Sequence, residues 1–378
     1  MLSGDAQTFL DKVWASRMLV HHADPAQLVS WLSLDDVDHL LTETAIRAPS
    51  VRVAQDGEVL PESRFVRTGA TVAGKPLTGL VDPRKLLALV GGGATVVLQA
   101  LHRYWPPLTE LTSDLELELG HPCQVNAYLT PPGSQGFAVH EDSHDVFVLQ
   151  THGTKLWEIH HGEGARPCDV HPECRVDDVL MEPGVSMYLP TGTPHAARAQ
   201  ESVSLHVTLG INQRTWADLL QLTVAPLVAE SAGDHLPAGF LEQPDVLADG
   251  IAQRLGDLAD ALRRVDADRA ATEAADRFLT SRPSRLRGGL HATLAASSLD
   301  ADTPVRRRPG VPCVRRTRGD RLLLLLGDRS LDVPAWLSPA IDELRPSRVL
   351  TPRDLPISPD SAVVLCRRLL REGLLEPT

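Results

Sequence analysis

At 378 residues the chain is long enough for two or three domains and a sizeable core. A formal net charge of −12 excludes a surface that grips nucleic acid all round, and 43% hydrophobic with 23% charged residues is the balance of a soluble globular protein. The five cysteines (Cys123, Cys168, Cys174, Cys313, Cys366) are odd in number and lack framework spacing, so they are read as reduced. No basic-then-apolar leader opens the chain and no apolar run approaches membrane-spanning length, so a cytoplasmic protein is expected. Lysine occurs only at 12, 75, 85 and 155, while arginine supplies the remaining positive charge. A lysine kept in such a background is a better functional candidate than usual.

Taken in order, residues 6–20 place Phe9, Val13 and Trp14 on one face of a predicted helix. Ser33, followed by Asp35 and Asp36, is a helix start, and that helix should run to about residue 44. Residues 50–54 and 64–67 alternate like strands around a turn at 55–58. Asp82-Pro83 begins another helix, closed by Gly91-Gly92-Gly93. The triple glycine lacks the Gly-Lys-Ser/Thr of a phosphate loop and reads as a turn. Residues 94–101 form a buried strand and 108–119 a helix ending at Gly120. A strand at 125–129 opens a sheet. Residues 146–150 and 155–159 read as a hairpin, 178–181 and 186–189 as strand, turn, strand, and 202–210 as a further strand. Many short strands with Gly/Pro turns fit a double-stranded β-helix, or jelly roll, better than a parallel sheet.

Within this region, His140-Glu141-Asp142 forms an H-x-D, and Tyr188-Leu189-Pro190-Thr191-Gly192-Thr193-Pro194-His195 brings a second histidine. Two histidines and one carboxylate are the ligand set of non-haem Fe(II), held on one face with the opposite positions open. In an extended segment residues i and i+2 point the same way, so His140 and Asp142 can both turn inward and Glu141 outward. Such a tripeptide alone is weak evidence. Lys155 strengthens it. On alternation it shares a face with Trp157, and a lysine aimed into an apolar barrel is costly unless an anion neutralises it. A dicarboxylate cosubstrate would supply that anion.

The run at 126–157, N-A-Y-L-T-P-P-G-S-Q-G-F-x-x-H-x-D-x-H-D-x-F-V-L-Q-x-x-G-x-K-x-W, resembles the JmjC-type, cupin-like oxygenases that depend on Fe(II) and 2-oxoglutarate, in the bacterial branch related to the ribosomal oxygenases. The resemblance implies that His140, Asp142 and His195 hold the metal and that Lys155 grips the far carboxylate of 2-oxoglutarate. It also implies that Tyr128 and Asn126 bond or position the cosubstrate and that Ser204 lines its pocket. A tyrosine that only caps the core is the plainer alternative for Tyr128. His144 follows the ligands without joining them, as a supporting or substrate-facing group or a bonded core histidine. Gln150 and Trp157 read as packing, and His102, Tyr104 and Trp105 as an aromatic corner. Cys168, His171 and Cys174 have a look of a zinc site, but only His160 and His161 stand near to complete four ligands, so a loop is the preferred reading.

After Gly210 the composition turns Ala/Leu/Asp/Arg-rich, and residues 215–230 and 244–278 read as helices. A Pro-rich stretch with Arg306, Arg307, Arg308, Arg315, Arg316 and Arg318 follows. Then come a strand at 321–326 and helices at 338–344 and from Ser358-Pro359 to Gly373. The related oxygenases carry a helical dimerisation segment and then a winged-helix-like module at this end. The fold expected is therefore mixed α+β. It has a jelly-roll barrel with N-terminal helices (1–212), a helical dimerisation segment (213–282) and a winged-helix-like module (283–378). The arginines could contact phosphates weakly, although without interleaved aromatics a solvated linker is preferred. The implied activity is hydroxylation of a histidine or arginine side chain in a protein such as a ribosomal protein, giving succinate and CO2, by a homodimer that touches no membrane. Two alternatives stay open: tailoring of a peptide natural product or small metabolite, and a non-catalytic cupin sensor whose C-terminal module binds DNA.

Overall fold

The computed structural model describes residues 2–134, 138–162, 174–230 and 233–378. Two compact units meet in the sequence at Gln213 and Arg214.

The first unit begins with α1 (Ala6–Lys12), capped by Asp5, whose carboxylate accepts the Thr8 N–H at 2.8 Å. The helix expected to reach residue 20 stops here. Ala15 takes φ +52° and its N–H donates to the Tyr188 hydroxyl at 2.9 Å, so this backbone donor serves the barrel instead of another helical turn. The chain resumes as β1 (Leu19–His22). Helix α2 (Pro25–Trp31), which the sequence reading missed, starts at an Asp24 cap with Pro25 in its first turn. Helix α3 (Leu34–Thr42) carries a capping box between Ser33 and Asp36. Strand β2 (Val51–Gln55) pairs with β3 (Glu58–Val59), not with residues 64–67; those hold the end of a 3-10 turn (Glu62–Arg64) and one isolated bridge from Val66 to Val81. A small ribbon, β4 (Thr71–Val72) with β5 (Lys75–Pro76), leads to α4 (Pro83–Gly91), β6 (Thr95–Leu98) and α5 (Pro106–Leu119).

The barrel follows: β7 (Cys123–Thr130), β8 (Asp145–His152), β9 (Lys155–His161), β10 (Arg175–Met181), β11 (Val185–Leu189), β12 (His195–Ala199) and β13 (Ser204–Ile211). One sheet has the order β1-β11-β8-β13-β7-β6-β2-β3 and a second has β10-β9-β12, with antiparallel pairings throughout. This is the antiparallel double sheet of a jelly roll. The expected hairpin of β8 and β9 does not form. Strand β8 pairs with β11 and β13, and β9 with β10 and β12, so the chain changes sheet at Gly153. That corner needs glycine. Its φ is +60°, and a Cβ there would lie 1.8 Å from the Val203 carbonyl oxygen.

Strand β8 is buried on both faces, which explains its continuous apolar run. Phe147 and Leu149 face the helices, packing with Phe9, Leu28 and Leu108. Val146 and Val148 face inward with Trp157, Ile159 and Met187. Period-2 alternation thus divides one strand between two cores.

The second unit opens with α6 (Trp216–Ala229), held by a Thr215–Asp218 capping box, and α7 (Pro244–Arg263). The helix expected over 244–278 is broken, and Asp266 caps a separate α8 (Ala267–Phe278). After α9 (Gly289–Ala295), strands β14 (Val305–Arg307), β15 (Val314–Arg318), β16 (Arg321–Leu325) and β17 (Ser330–Pro334) precede α10 (Ser338–Asp342), β18 (Val349–Leu350), α11 (Pro359–Arg371) and β19 (Leu375–Pro377). Two three-stranded sheets, β18-β14-β19 and β15-β16-β17, share a core of Val305, Leu324, Ile341 and Leu369. Among the described residues no helix is long and apolar enough to cross a membrane.

Candidate metal and cosubstrate site

Two short backbone segments zip together to build the site. The His140 N–H donates to the His195 carbonyl at 3.0 Å, and the His195 N–H returns to the His140 carbonyl at 2.8 Å. The Gly192 N–H donates to the Asp142 carbonyl at 3.0 Å. His140 and Asp142 therefore do not ride on a regular strand. One bridge to His195 aligns them, and Glu141 between them is exposed.

The side chains follow from this frame. His140 Nδ1 lies 2.9 Å from the Ala138 carbonyl and His195 Nδ1 lies 2.8 Å from the Thr193 carbonyl. A carbonyl can only accept, so each ring carries its proton on Nδ1 and turns an Nε2 lone pair toward the other. His195 Nε2 stands 3.9 Å from Asp142 Oδ2. One ligand atom from each of His140, Asp142 and His195 falls within 4.8 Å of the others. Burial pulls the His195 pKa down, the nearby His140 adding to this, so the imidazole stays neutral and able to ligate. Two imidazoles and a carboxylate, pre-set in tautomer and reach, fit a divalent transition metal.

The three open onto a cavity of about 450 Å³, lined also by Lys155, Tyr128, Trp157 and His206. Lys155 is 3% exposed, and its ammonium donates to the Thr130 hydroxyl at 3.1 Å. Burial pushes its pKa down to about 7. A cation held in such a place, with a hydroxyl as its hydrogen-bond partner among the described residues, fits an anionic ligand. Trp157, read from sequence as packing, does pack in the inner core, and it also lines the cavity and stacks on His195, with ring centroids 5.6 Å apart. Tyr128 stacks on His206 at 4.8 Å with the rings 1° from parallel, and burial raises its pKa.

Asn126 and Ser204 stand behind this wall. Asn126 bonds the Tyr128 phenol, and its carbonyl oxygen accepts the Ala100 N–H at 3.1 Å. Ser204 accepts from the Gln150 amide at 2.9 Å. His144 stays off the metal cluster, against Gly210, where a Cβ would come within 3.0 Å of its Nε2. His102, Tyr104 and Trp105 do form a packed corner; the Trp105 indole N–H donates to the Trp31 carbonyl at 2.8 Å. Cys168 and His171 lie outside the described residues. Cys174 is in a disulfide, which corrects the reading of all five cysteines as reduced. His160 and His161 are engaged by Glu158 and Asp177.

Sequence reasoning missed Thr130, His206, Thr208 and Arg52. The first three carried a signal: Thr130 lies two residues beyond Tyr128 on β7, and His206 and Thr208 alternate with Ser204 on β13, so period 2 puts each on the inner face. Arg52, on a strand that reads only as core, carried none.

Residues 107–219, which span most of the barrel and its site, match the family model described as JmjC domain. Its relatives are ribosomal oxygenases. Ribosomal oxygenase 1 of Rattus norvegicus is 29% identical over 259 residues, covering 62% of this chain and 41% of its own length. The protein named bifunctional lysine-specific demethylase and histidyl-hydroxylase NO66 of Culex quinquefasciatus is 30% identical over 243 residues, covering 60% of this chain and 36% of its own. The chain thus spans about two fifths of the curated relatives it matches. The crystal structure of Escherichia coli ribosomal oxygenase YcfD aligns over 100% of this chain and 99% of that one, with a TM-score of 0.54 at 18% identity. A second YcfD structure, in complex with cobalt and succinic acid, gives 0.54 at 19%. These likenesses establish a shared fold.

Proposed function

We propose that the chain is an Fe(II)- and 2-oxoglutarate-dependent hydroxylase of an amino-acid side chain, of histidine or arginine type, in a protein such as a ribosomal protein. One observation carries the reading: a His-Asp-His cluster and a buried lysine whose ammonium donates to a hydroxyl share one cavity. His140, Asp142 and His195 would hold the metal through Nε2, a carboxylate oxygen and Nε2. With 2-oxoglutarate and dioxygen the metal would supply oxidation of a substrate C–H to an alcohol, one oxygen atom going to the substrate and the other to succinate, with release of CO2. The chain's own residues do the rest. The Lys155 ammonium anchors the distal carboxylate of the cosubstrate. Tyr128, held by Asn126, offers its phenol to the same ligand, and Ser204 acts at one remove through Gln150. Val146, Val148 and Trp157 keep water from the reacting face. The relatives' names favour a ribosomal protein as substrate.

The second unit fits a helical segment over 213–282 and a winged-helix-like module over 283–378. No side chain of α6 or α7 is fully buried, and Trp216, Leu220 and Leu255 are 79%, 59% and 61% exposed. We infer that a second copy covers them, giving a homodimer in the cytoplasm. Light scattering should give twice the mass of the chain, and Trp216→Glu should return the monomer. The arginines at 306–318 do not favour nucleic acid, because most are already paired with acids.

The test of activity is to incubate the protein with Fe(II), 2-oxoglutarate and ribosomal proteins and to look by mass spectrometry for one added oxygen. A single shifted histidine or arginine is the expected result. If the protein bound iron but turned over no 2-oxoglutarate with any such substrate, the hydroxylase reading would fail.

A further inference from the structure

Asp145 is 0% exposed at the head of β8, and every group that bonds it is a donor. Its Oδ1 accepts from the Thr191 N–H at 2.7 Å and from the Thr191 hydroxyl at 2.9 Å. Its Oδ2 accepts from the Tyr188 hydroxyl and from the Gln213 amide at 2.6 Å. The same Tyr188 hydroxyl accepts the Ala15 N–H. A buried carboxylate costs several kcal/mol unless it is saturated in this way, so the place where it is spent is informative.

It is spent on one turn. Residues 190–194 join β11 to β12 and deliver His195. The turn closes on itself through the Thr193 hydroxyl, which donates to the Pro190 carbonyl at 2.7 Å. It touches the first ligand segment through Gly192 and Asp142. Its two ends are held separately: Thr191 is bonded twice to Asp145 Oδ1 at the head of β8, and the Pro194 carbonyl accepts the His160 N–H of β9 at 2.9 Å. Without the Asp145 bonds the leading half of the turn loses its tie to β8, and the approach of the His195 imidazole to Asp142 loosens.

We propose that Asp145 is a positioning residue for the metal centre: it clamps the turn at Thr191 and so fixes where His195 Nε2 meets His140 and Asp142. The proposal rests on the metal-binding reading above. An amide replaces the carboxylate poorly. Its NH2 would either face the Thr191 N–H, donor against donor, or make Tyr188 and Gln213 both turn from donors into acceptors.

The test uses Co(II) in the full-length protein, without cosubstrate, read by its visible d–d band and by titration. Wild type should bind one ion. Asp145→Asn should weaken Co(II) binding on the order of 10- to 100-fold, the loss typical when a ligand's supporting partner is removed, and should change the band shape. Thr191→Val, which keeps the backbone bond, should weaken it by about two- to tenfold. Leu149→Ala, on the same strand but facing the helices, should lower the melting temperature and leave Co(II) affinity and spectrum as in wild type. If both site variants kept wild-type affinity and spectrum, or if Leu149→Ala weakened binding as much as they do, Asp145 would be a general structural residue and the proposal would fail. If Asp145→Asn did not fold, the Thr191→Val result would decide. A wild-type protein that bound no Co(II) would overturn the metal reading itself, and this proposal with it.

Discussion

Two sets of positive charge on this chain behave in opposite ways. Lys155 is buried in the barrel with a hydroxyl as its partner. Five of the six arginines at 306–318 meet acids: Arg306 and Arg308 share Glu376, Arg315 pairs with Asp342, and Arg316 and Arg318 share Asp276. The arginine cluster looks more functional in a sequence, because six positive charges crowd into 13 positions. Yet five of the six are answered by acids, and Arg307 donates to the Val311 carbonyl at 2.9 Å. Lys155, buried, has the Thr130 hydroxyl as its hydrogen-bond partner among the described residues. Whether a charge is already answered matters more than how many charges are gathered.

The contrast can be broken most sharply at the site. His140→Ala should abolish the visible band formed by Fe(II) and 2-oxoglutarate under anaerobic conditions. Lys155→Ala should leave metal binding intact and raise the 2-oxoglutarate Kd by about 10- to 100-fold, the worth of a charge-assisted bond. Equal loss of metal in both variants would mean that Lys155 has no separate role.

Gly153→Ala comes next, because it puts a Cβ against backbone at the corner that launches Lys155. It should cost about 2–4 kcal/mol of stability in a denaturant titration, or prevent folding. Wild-type stability would show that the corner has room.

The pH dependence sharpens the same point. Lys155 has a folded-state pKa near 7, below the ordinary 10.5, so the folded protein binds fewer protons than the unfolded chain between these values. Its contribution to stability is therefore smallest below pH 7 and grows as pH rises toward 10.5, by up to about 1.4 kcal/mol per unit. Lys155→Met should flatten that rise. Cosubstrate binding, which needs the ammonium, should take up a proton and weaken above pH 7. Calorimetry in buffers of different ionisation enthalpy measures that uptake.

The smallest effects belong to the arginines. Arg315→Ala or Arg321→Ala breaks an exposed pair and should change stability by less than about 1 kcal/mol, with 2-oxoglutarate turnover unchanged.

The amino-acid sequence by itself determined a good deal. Spacing and residue type singled out His140, Asp142, His195 and Lys155. Caps at Ser33 and Asp82, and Gly120 past the end of α5, marked helices where they occur. Such signals are local: a cap or an i, i+2 pair acts within a few residues. Tertiary structure decided what depends on distant partners. Residues 13–18 leave the helix because Tyr188, far along the chain, takes the Ala15 N–H. Strands β8 and β9 part company because each pairs with strands distant in the chain, β8 with β11 and β13 and β9 with β10 and β12. Period 2 says only that Thr130, His206 and Trp157 share faces; the closing of two sheets decides that those faces enclose a cavity. Donor geometry at the site is likewise a product of closure, since His140 and His195 meet through a backbone bridge between segments more than fifty residues apart.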